Sequence, residues 1–342
     1  MEKAGIKFTE KQKEVLLKQD WGLDLIELKL SGVDAKKKIS ESREQLLDAF
    51  SEEELKVLQM VEVLAEQSVF ETEELKKKNE KICVCDFTVL GCEKGEVGRY
   101  GVKYEGLLII DHHMPHDFMK KHISSATLAM NHVQKFGALS DDYLVLVNHT
   151  DADSVLSMMM MIGLIPPDER FNQAALSGDH NGEENELGDL LQAIQNERDL
   201  LFSVRELYEF LNGNKPSERA QKLIDAREED RVRVRGWIKE GRFKEVEGIQ
   251  YIIVDTKVEM ELLLPEFPDA KVVMLFVKME DGSGRWEVKI RLGVKTTGIA
   301  LNELGLPVFG GRWNGGGTKR RGGTDIEPED YVRLLVEKIS RS

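Results

Sequence analysis

The chain has 342 residues, of which 41% are hydrophobic and 32% charged, and its formal net charge is −14. This composition is typical of a globular protein with room for two domains, and no stretch approaches the ~20 apolar residues of a membrane span. The negative charge argues against a protein that coats long duplex nucleic acid, because phosphates bind clustered Lys and Arg, but a local basic loop could still hold a nucleotide or a short single strand.

The N-terminal part of the chain is predicted to be helical, and the protein is predicted to be cytoplasmic. Its first residues carry no apolar signal core, and the three cysteines lack the CxxC pairs of zinc sites, so we expect reduced thiols. Thr9 with Gln12, and Ser51 with Glu54, have the spacing of capping boxes. We therefore predict a helical N-terminal extension over residues 1–80 that packs on the core, and a partner-binding role for it stays open.

The rest of the chain is predicted to form two further folded regions joined by a linker. Short apolar runs alternate with amphipathic stretches over residues 81–183, the pattern of a parallel βαβ sheet. There we predict strands at 82–86, 107–110, 144–147 and 174–177, and helices at 124–136 and 154–163. A charged helical linker follows at 184–245. Residues 246–342 are predicted to form a smaller α+β domain, with strands at 249–254, 271–277 and 286–292 and a final helix from about Pro328. The fold class is therefore α/β.

Carboxylates and imidazoles cluster directly after two of these predicted strands. The residues concerned are Asp111, His112 and His113 after the second strand, and His149, Asp151 and Asp153 after the third. Parallel strands bring their carboxyl ends to one crevice, where oxygen and nitrogen ligands can converge on two divalent ions about 4 Å apart. The alternative, a set of strand-end caps, would leave these polar groups near the core without compensation. The pattern predicts a metal-dependent hydrolase, with Asp111 orienting a histidine ligand.

A basic, glycine-rich segment over residues 309–323 follows the last predicted strand. Its glycines allow the backbone to approach an anion closely, and four cationic side chains supply charge: Arg312, Lys319, Arg320 and Arg321. Trp313 offers a face on which a base could stack. A mobile surface turn is the alternative. We predict a clamp for a phosphate or a nucleotide.

Taken together, these motifs resemble the DHH phosphoesterase superfamily with its DHH-associated C-terminal domain. The family includes single-strand exonucleases, oligoribonucleases, nucleotide phosphatases, cyclic-dinucleotide phosphodiesterases and inorganic pyrophosphatases. Asp111-His112-His113 corresponds to the name-giving motif, within a catalytic domain of residues 81–183. The strand of residues 286–291 and the Phe309-Gly310-Gly311 that follows it look like the strand arginine and substrate loop of the C-terminal domain, over about 246–340.

The resemblance implies a role for each matching residue. His113 would contact the scissile phosphate, with Asp111 beside it as the second catalytic residue. The implied metal ligands are Asp86, His112, His149, Asp151, Asp153 and Asp179. The implied substrate-binding residues are Arg291, Gly310, Gly311, Arg312, Asn314, Gly315 and Gly316.

Two features depart from the family pattern. The HxDxD-type motif usually precedes the DHH motif, whereas His149 follows His113 by 36 residues (149 minus 113). We infer a rearranged strand order, in which residues 143–163 supply the unit normally found first. Secondly, Arg312-Trp313-Asn314 stands where the substrate loop usually has a histidine, so the role of that histidine cannot be transferred.

The sequence thus predicts a cytoplasmic phosphoesterase of nuclease type with two divalent ions. Mn²⁺ is favoured over Mg²⁺ because imidazole ligands suit it better. The expected substrate is a nucleotide or a short single-stranded nucleic acid, with no membrane partner, and a homodimer is left open. Two alternatives remain: a pyrophosphate or polyphosphate hydrolase, disfavoured by Trp313 and by the type of C-terminal domain, and a non-catalytic regulator that senses a nucleotide.

Overall fold

The computed structural model describes residues 5–27, 32–65, 69–92, 94–113 and 123–341. The protein has an α/β fold with a parallel-strand sheet and a separate, sheet-rich C-terminal region. Its described residues divide into two compact units: the first holds those up to 113, 123–175 and 185–224, and the second holds 176–184 and 225–341. Within these described ranges, no helix combines the length and the apolar character needed to cross a bilayer.

The N-terminal part of the first unit is mainly helical. Its helices are α1 Glu10–Leu16, α2 Gly22–Ile26, α3 Gly32–Glu41, α4 Arg43–Leu46, α5 Glu52–Met60 and α6 Thr72–Leu75. Both predicted capping boxes are present, at the starts of α1 and α5. Two short strands, β1 Val61–Val63 and β2 Val69–Glu71, lie where only helix was predicted. Helix α5 ends where Val61 adopts an extended backbone (φ −115°, ψ 133°), a conformation that β-branched residues favour.

The central sheet of the first unit has the strand order β1-β8-β3-β7-β6-β5. Its further strands are β3 Ile82–Cys85, β5 Glu96–Gly98, β6 Gly101–Tyr104, β7 Leu107–Ile110 and β8 Leu144–Val147, while β4 Thr88–Leu90 pairs with β2. The first four strands in this order are mutually parallel. Every residue of β3, β7 and β8 is buried, as expected for apolar strands covered on both faces. The carboxyl ends of β8, β3 and β7 are therefore neighbours.

The helices that follow agree with the predicted alternation, with one exception. They are α7 Ser125–Phe136, α8 Ala152–Met161, α9 Glu169–Leu176, α10 Glu186–Ile194, α11 Leu200–Leu211 and α12 Glu218–Lys239, with a π-helical turn at Ser177–Asn181. The strand predicted at 174–177 was wrong. Phe171, Ala174 and Ala175 are buried at helical spacing in α9, and the remaining parallel strand is β1 instead.

The second unit contains a sheet with the order β13-β14-β12-β11-β10-β9. Its strands are β9 Lys244–Val246, β10 Ile249–Val254, β11 Val272–Lys278, β12 Trp286–Leu292, β13 Gly310–Arg312 and β14 Gly315–Gly317, and α13 Pro328–Arg341 is the last of the described helices. The glycine-rich segment is thus an edge hairpin that continues the sheet antiparallel to β12, not a mobile turn. Trp313 is only 7% exposed and packs in the core with Tyr331, so the prediction of a stacking face for a base was wrong.

Candidate metal centre

Three strand ends of the first unit bring carboxylates and imidazoles together. Asp86 follows β3, His112 lies just after β7, and His149 just after β8. His112 Nε2 lies 3.6 Å from Asp86 Oδ1 and 3.7 Å from Asp153 Oδ2. The two motifs, well separated in sequence, therefore meet in the folded chain, because the strands that carry them, β7 and β8, are parallel and flank β3.

Asp86 is the residue on which the cluster converges. Its carboxylate is buried, with His149 Nε2 at 2.9 Å from Oδ2 and with His112 Nε2 and His113 Nδ1 each 3.6 Å from Oδ1. Ser125 Oγ donates a hydrogen bond of 2.8 Å to Oδ1. Asp86 also has φ = +63°, in the left-handed region that few residues with a side chain occupy. This conformation occurs directly after the last residue of β3, where the carboxylate of Asp86 lies beside the histidines.

Each of the three histidines has its Nδ1 nitrogen beside an oxygen acceptor. For His112 this is the Ile123 carbonyl at 2.5 Å, for His113 it is Asp111 Oδ1 at 2.8 Å, and for His149 it is the side-chain oxygen of Asn148. A neutral ring that donates its Nδ1 proton keeps the Nε2 lone pair for a metal. In His112 and His149 it is Nε2 that faces the carboxylates.

The electrostatics of the cluster favour binding of a cation. Burial, reinforced by the charge of Asp151, raises the pKa of Asp86 to about 6, although its bond with His149 opposes this. Burial alone would lower the pKa of His149, but the charge of Asp151 and the hydrogen bonds to Asp151 and Asp86 raise it well above its usual range. Burial likewise pushes the pKa of Asp111 up, yet the charge of His113 outweighs it and leaves that pKa lowered. Ionisation of these buried carboxyl groups is therefore favoured by nearby positive charge.

The residues present fit one or more divalent ions. Within the first unit, two ligand groups have all their donor atoms within 4.8 Å of one another, and both include Asp86: Asp86, His112 and His113; and Asp86, His149 and Asp151. Among the described residues, the charged partners of buried Asp86 are imidazoles, with no Lys or Arg. Asp111 Oδ2 is buried without a hydrogen-bond partner in the described part of the chain. A mixed set of carboxylate oxygens and imidazole nitrogens is typical of sites for transition metals such as Mn²⁺. It is less typical of a structural salt bridge.

Asp151 and Asp153 also cap helices. Asp151 Oδ1 accepts from Ser154 N at 3.0 Å at the start of α8, while its Oδ2 lies 3.3 Å from His149 Nε2. Asp153 accepts backbone N–H groups on both oxygens, from Ser125 at 2.8 Å and Ala126 at 2.6 Å. Asp153 thus fixes the start of α7, and its predicted role as a metal ligand remains a prediction.

The other predicted site residues lie in the second unit. Asp179 is in the π-helical turn, where Arg312 donates to its side chain and, at 2.9 Å, to its backbone carbonyl. Arg291 on β12 forms an ion pair with Glu261. Asn314 joins β13 to β14, and its amide lies 3.0 Å from His180 Nδ1.

Close approach of the chain restricts several glycines of the hairpin. A Cβ at Gly315 would lie 2.5 Å from Arg291 Cδ, and one at Gly311 or Gly316 would lie 2.4 to 2.5 Å from backbone oxygens of the hairpin. Gly310 pairs with Gly317 in the same hairpin. Gly311 and Gly316 accept no side chain without movement of the sheet edge, whereas a Cβ at Gly315 would displace the Arg291 side chain and one at Gly310 would make only ordinary contacts. The roles of these glycines in substrate binding remain predictions.

Sequence reasoning missed several residues that hold the cluster in place. Ser125 donates to Asp86 and accepts from the His112 backbone N–H at 3.3 Å, and Asn148 holds His149. Ser125 follows the helix cap Ser124, and Asn148 directly precedes a predicted ligand, so position beside a site residue was the available signal. In the second unit, His180 was also missed, since nothing in its local sequence indicates its contact with Asn314.

No family model matches the chain, and no curated protein matches it. Two solved structures are similar in part. A pGpG-specific phosphodiesterase from Vibrio cholerae has a TM-score of 0.38 at 9% identity, covering 62% of this chain and 87% of that one. An exopolyphosphatase-related protein from Bacteroides fragilis has a TM-score of 0.36 at 16% identity, covering 79% and 73% respectively. At these TM-scores neither likeness assigns a function.

Proposed function

We propose that the protein is a metal-dependent phosphoesterase that hydrolyses phosphodiester or phosphomonoester bonds of a nucleotide or a short single-stranded oligonucleotide. The observation that carries the proposal is Asp86, a buried carboxylate shared by two groups of potential ligands and surrounded by imidazoles. Because its two oxygens face different histidines, Asp86 could hold a divalent ion through either oxygen. The resemblance of the histidine motifs to the DHH superfamily points to the same chemistry.

We assign a role to each side chain from its position in the cluster. Asp86, His112, His149 and Asp151 would hold the ions. When bound, divalent ions supply a water of lowered pKa and charge that stabilises phosphoryl oxygens. The side chain of His113 is 29% exposed, so it would be able to contact the phosphate. Asp111 fixes its position by accepting from its backbone N–H and by bonding to its ring. Asp111 is then a positioning residue, and Ser125 and Asn148 keep the ligands oriented.

The test is turnover of a phosphodiester under controlled metal. The protein is stripped with EDTA, and hydrolysis of bis(p-nitrophenyl) phosphate and of the dinucleotide pApA is followed as Mn²⁺ is added. We expect Mn²⁺-dependent hydrolysis, and a fall of kcat/KM of about 100-fold or more in Asp86→Asn and in His112→Ala, because lost ligands cost more than the ~10–100-fold of lost supporting residues. Rates equal to those of the unaltered protein in both variants would refute the proposal.

Asp199→Asn is the matched control for Asp86→Asn. Asp199 is also a buried aspartate of the first unit, but it caps α11 by accepting from Phe202 N at 3.3 Å and belongs to neither ligand group. Asn serves almost equally well as a helix cap, so this variant should keep its rate. Preferred hydrolysis of pyrophosphate over pApA would support the polyphosphatase alternative instead, and stabilisation by a nucleotide without turnover would support the regulator.

A further inference from the structure

An exposed aromatic ring and two cationic side chains meet on the surface of the first unit. Phe136, the last residue of α7, is 52% exposed. The centre of its ring lies 5.2 Å from that of Tyr100, in an edge-on arrangement, and 4.5 Å from Lys103 Nζ. The Arg99 guanidinium lies 4.9 Å from the centre of the Tyr100 ring and donates a hydrogen bond of 2.6 Å to the Tyr100 hydroxyl. We call these four residues the aromatic–cationic patch.

The fold fixes this patch beside the strand that leads to the metal centre. Strand β6 is antiparallel to β7, so the turn between β5 and β6 lies at the carboxyl end of β7, which Asp111 follows directly. A Cβ at Gly101 would lie 2.5 Å from the Ile109 carbonyl oxygen, which shows how closely this turn packs on β7. His132 Nδ1 lies 3.3 Å from the Tyr100 carbonyl oxygen and joins the turn to α7.

Helix α7 sets the distance between the patch and the metal centre. Its first residue, Ser125, donates to Asp86, and its last residue is Phe136. At 1.5 Å per residue, about 16 Å of helix axis separates these two ends. A stacked nucleic-acid strand carries a phosphate about every 3.4 Å, so this distance corresponds to about five nucleotides. A strand of that length held at the metal centre would reach the patch without leaving the first unit.

The cations of the patch are not neutralised by carboxylates. Within the described part of the chain, neither Arg99 nor Lys103 forms a salt bridge, although the sequence has 62 acidic against 48 basic residues. Glu96 is opposite Lys103 in the strand register, yet the Lys103 ammonium lies over the Phe136 ring instead. Single exposed apolar residues are ordinary, but an open ring with adjacent cations is the arrangement on which single-stranded nucleic acids stack. An acidic protein partner would account for the cations and leave the open ring unexplained.

We propose that the aromatic–cationic patch binds a base and the adjoining phosphates of a single-stranded nucleic acid. Phe136 stacks on the base, and Lys103 and Arg99 bind the phosphates on either side of it. The inference deepens the proposed function, on which its biological meaning rests. It identifies the substrate as a single strand of about five nucleotides or more, because a shorter one cannot occupy the patch and the metal centre together.

Equilibrium binding in EDTA tests the patch without turnover. The probes are a fluorescein-labelled single strand of eight deoxyadenylates and an abasic strand with the same number of phosphates, titrated with the full-length chain by fluorescence anisotropy. We expect Phe136→Ala to bind the oligoadenylate about tenfold more weakly and Phe136→Trp to bind it at least as well as the unaltered protein, because base–aromatic stacking is lost in one and kept in the other. Phe136→Ala should not weaken binding of the abasic strand, which has no base to stack.

Lys103→Ala should weaken binding of both strands, because both carry phosphates. The slope of log affinity against log salt concentration should become shallower by about 0.7 for the phosphate contact that is removed. Lys103→Arg should restore the affinity to within about threefold, since it keeps the charge.

Two variants of the first unit serve as matched controls. Leu17 is an apolar residue as exposed as Phe136, at 57%, but lies outside the patch, so Leu17→Ala controls for the loss of exposed apolar surface. Lys81 also lies near an aromatic ring, 5.7 Å from the centre of Tyr143, but its charge is paired with Asp142. Leu17→Ala and Lys81→Ala should bind both strands like the unaltered protein.

The outcomes separate this inference from the proposed function. With Mn²⁺ present, Phe136→Ala should raise KM for the oligoadenylate about tenfold and change kcat less than about twofold, because the patch binds substrate away from the reacting phosphate. Binding that depends on Phe136 without any hydrolysis would support the patch and contradict only the proposed function. Unchanged affinity for the oligoadenylate in Phe136→Ala/Lys103→Ala, at an unaltered melting temperature, would overturn the inference and favour an acidic protein partner. An equal loss for both strands in Phe136→Ala would overturn it too, because the ring would then act without a base.

Discussion

Replacing Asp86 with asparagine should separate the stability of the metal-free protein from its capacity to bind metal. Burial raises the pKa of Asp86 to about 6 from an ordinary 3.8. A shift of about 2 units corresponds to about 3 kcal/mol. A carboxyl whose pKa is higher in the folded state stabilises that state below about pH 3.8, and this contribution is lost as the pH rises through about 6. The raised pKa of His149 acts in the same direction.

In EDTA, the free energy of unfolding of the unaltered protein should therefore fall by about 3 kcal/mol more than that of Asp86→Asn between pH 4 and pH 7. At pH 7.5 the variant should be at least as stable as the unaltered protein, because asparagine keeps an acceptor for Ser125 without burying a charge. Added Mn²⁺ should reverse the order, since only the unaltered protein gains binding energy. Urea unfolding at each pH measures these differences. A variant that is less stable by the same amount at every pH, and that Mn²⁺ still stabilises, would refute the reasoning.

Three further predictions concern the same chain. Asp153→Ala should lower the metal-free unfolding free energy by about 2 kcal/mol, because two backbone N–H groups at the start of α7 lose their acceptors, and Asp153→Asn should recover part of it in urea titrations. The rise in melting temperature caused by Mn²⁺ should grow from pH 5.5 to pH 8, because the raised pKa of His149 makes protons compete with the metal; equal shifts at both ends would contradict this. Trp313→Ala should destabilise the second unit by about 3–5 kcal/mol, since the ring is part of its core, whereas Trp313→Phe should cost much less in the same assay.

The sequence predicted what depends on local pattern and missed what depends on pairing at a distance. Strands β7, β8, β10 and β12 were predicted at their observed bounds. Strands β7 and β8 are buried and read as continuous apolar runs, whereas β12 alternates apolar and polar residues. Strand β1 was missed because three residues after a helix carry too little periodicity, and its place in the sheet is decided by pairing with β8, more than eighty residues later (145 minus 61). The carboxylate and imidazole ligands were found because they follow strands directly. Their supporting residues Ser125 and Asn148 were not, since only the folded chain brings Ser125 to Asp86.

Several features that oppose folding lie at the proposed metal centre. Around β3, β7 and β8 these features are the left-handed backbone of Asp86, its buried carboxylate, and an oxygen of Asp111 that has no hydrogen-bond partner among the described residues. A divalent cation would compensate the two electrostatic costs, and the backbone strain is of the kind that persists where surrounding contacts hold a functional residue in place. A chain selected only for stability would replace the buried carboxylate of Asp86, because without a metal its burial opposes ionisation.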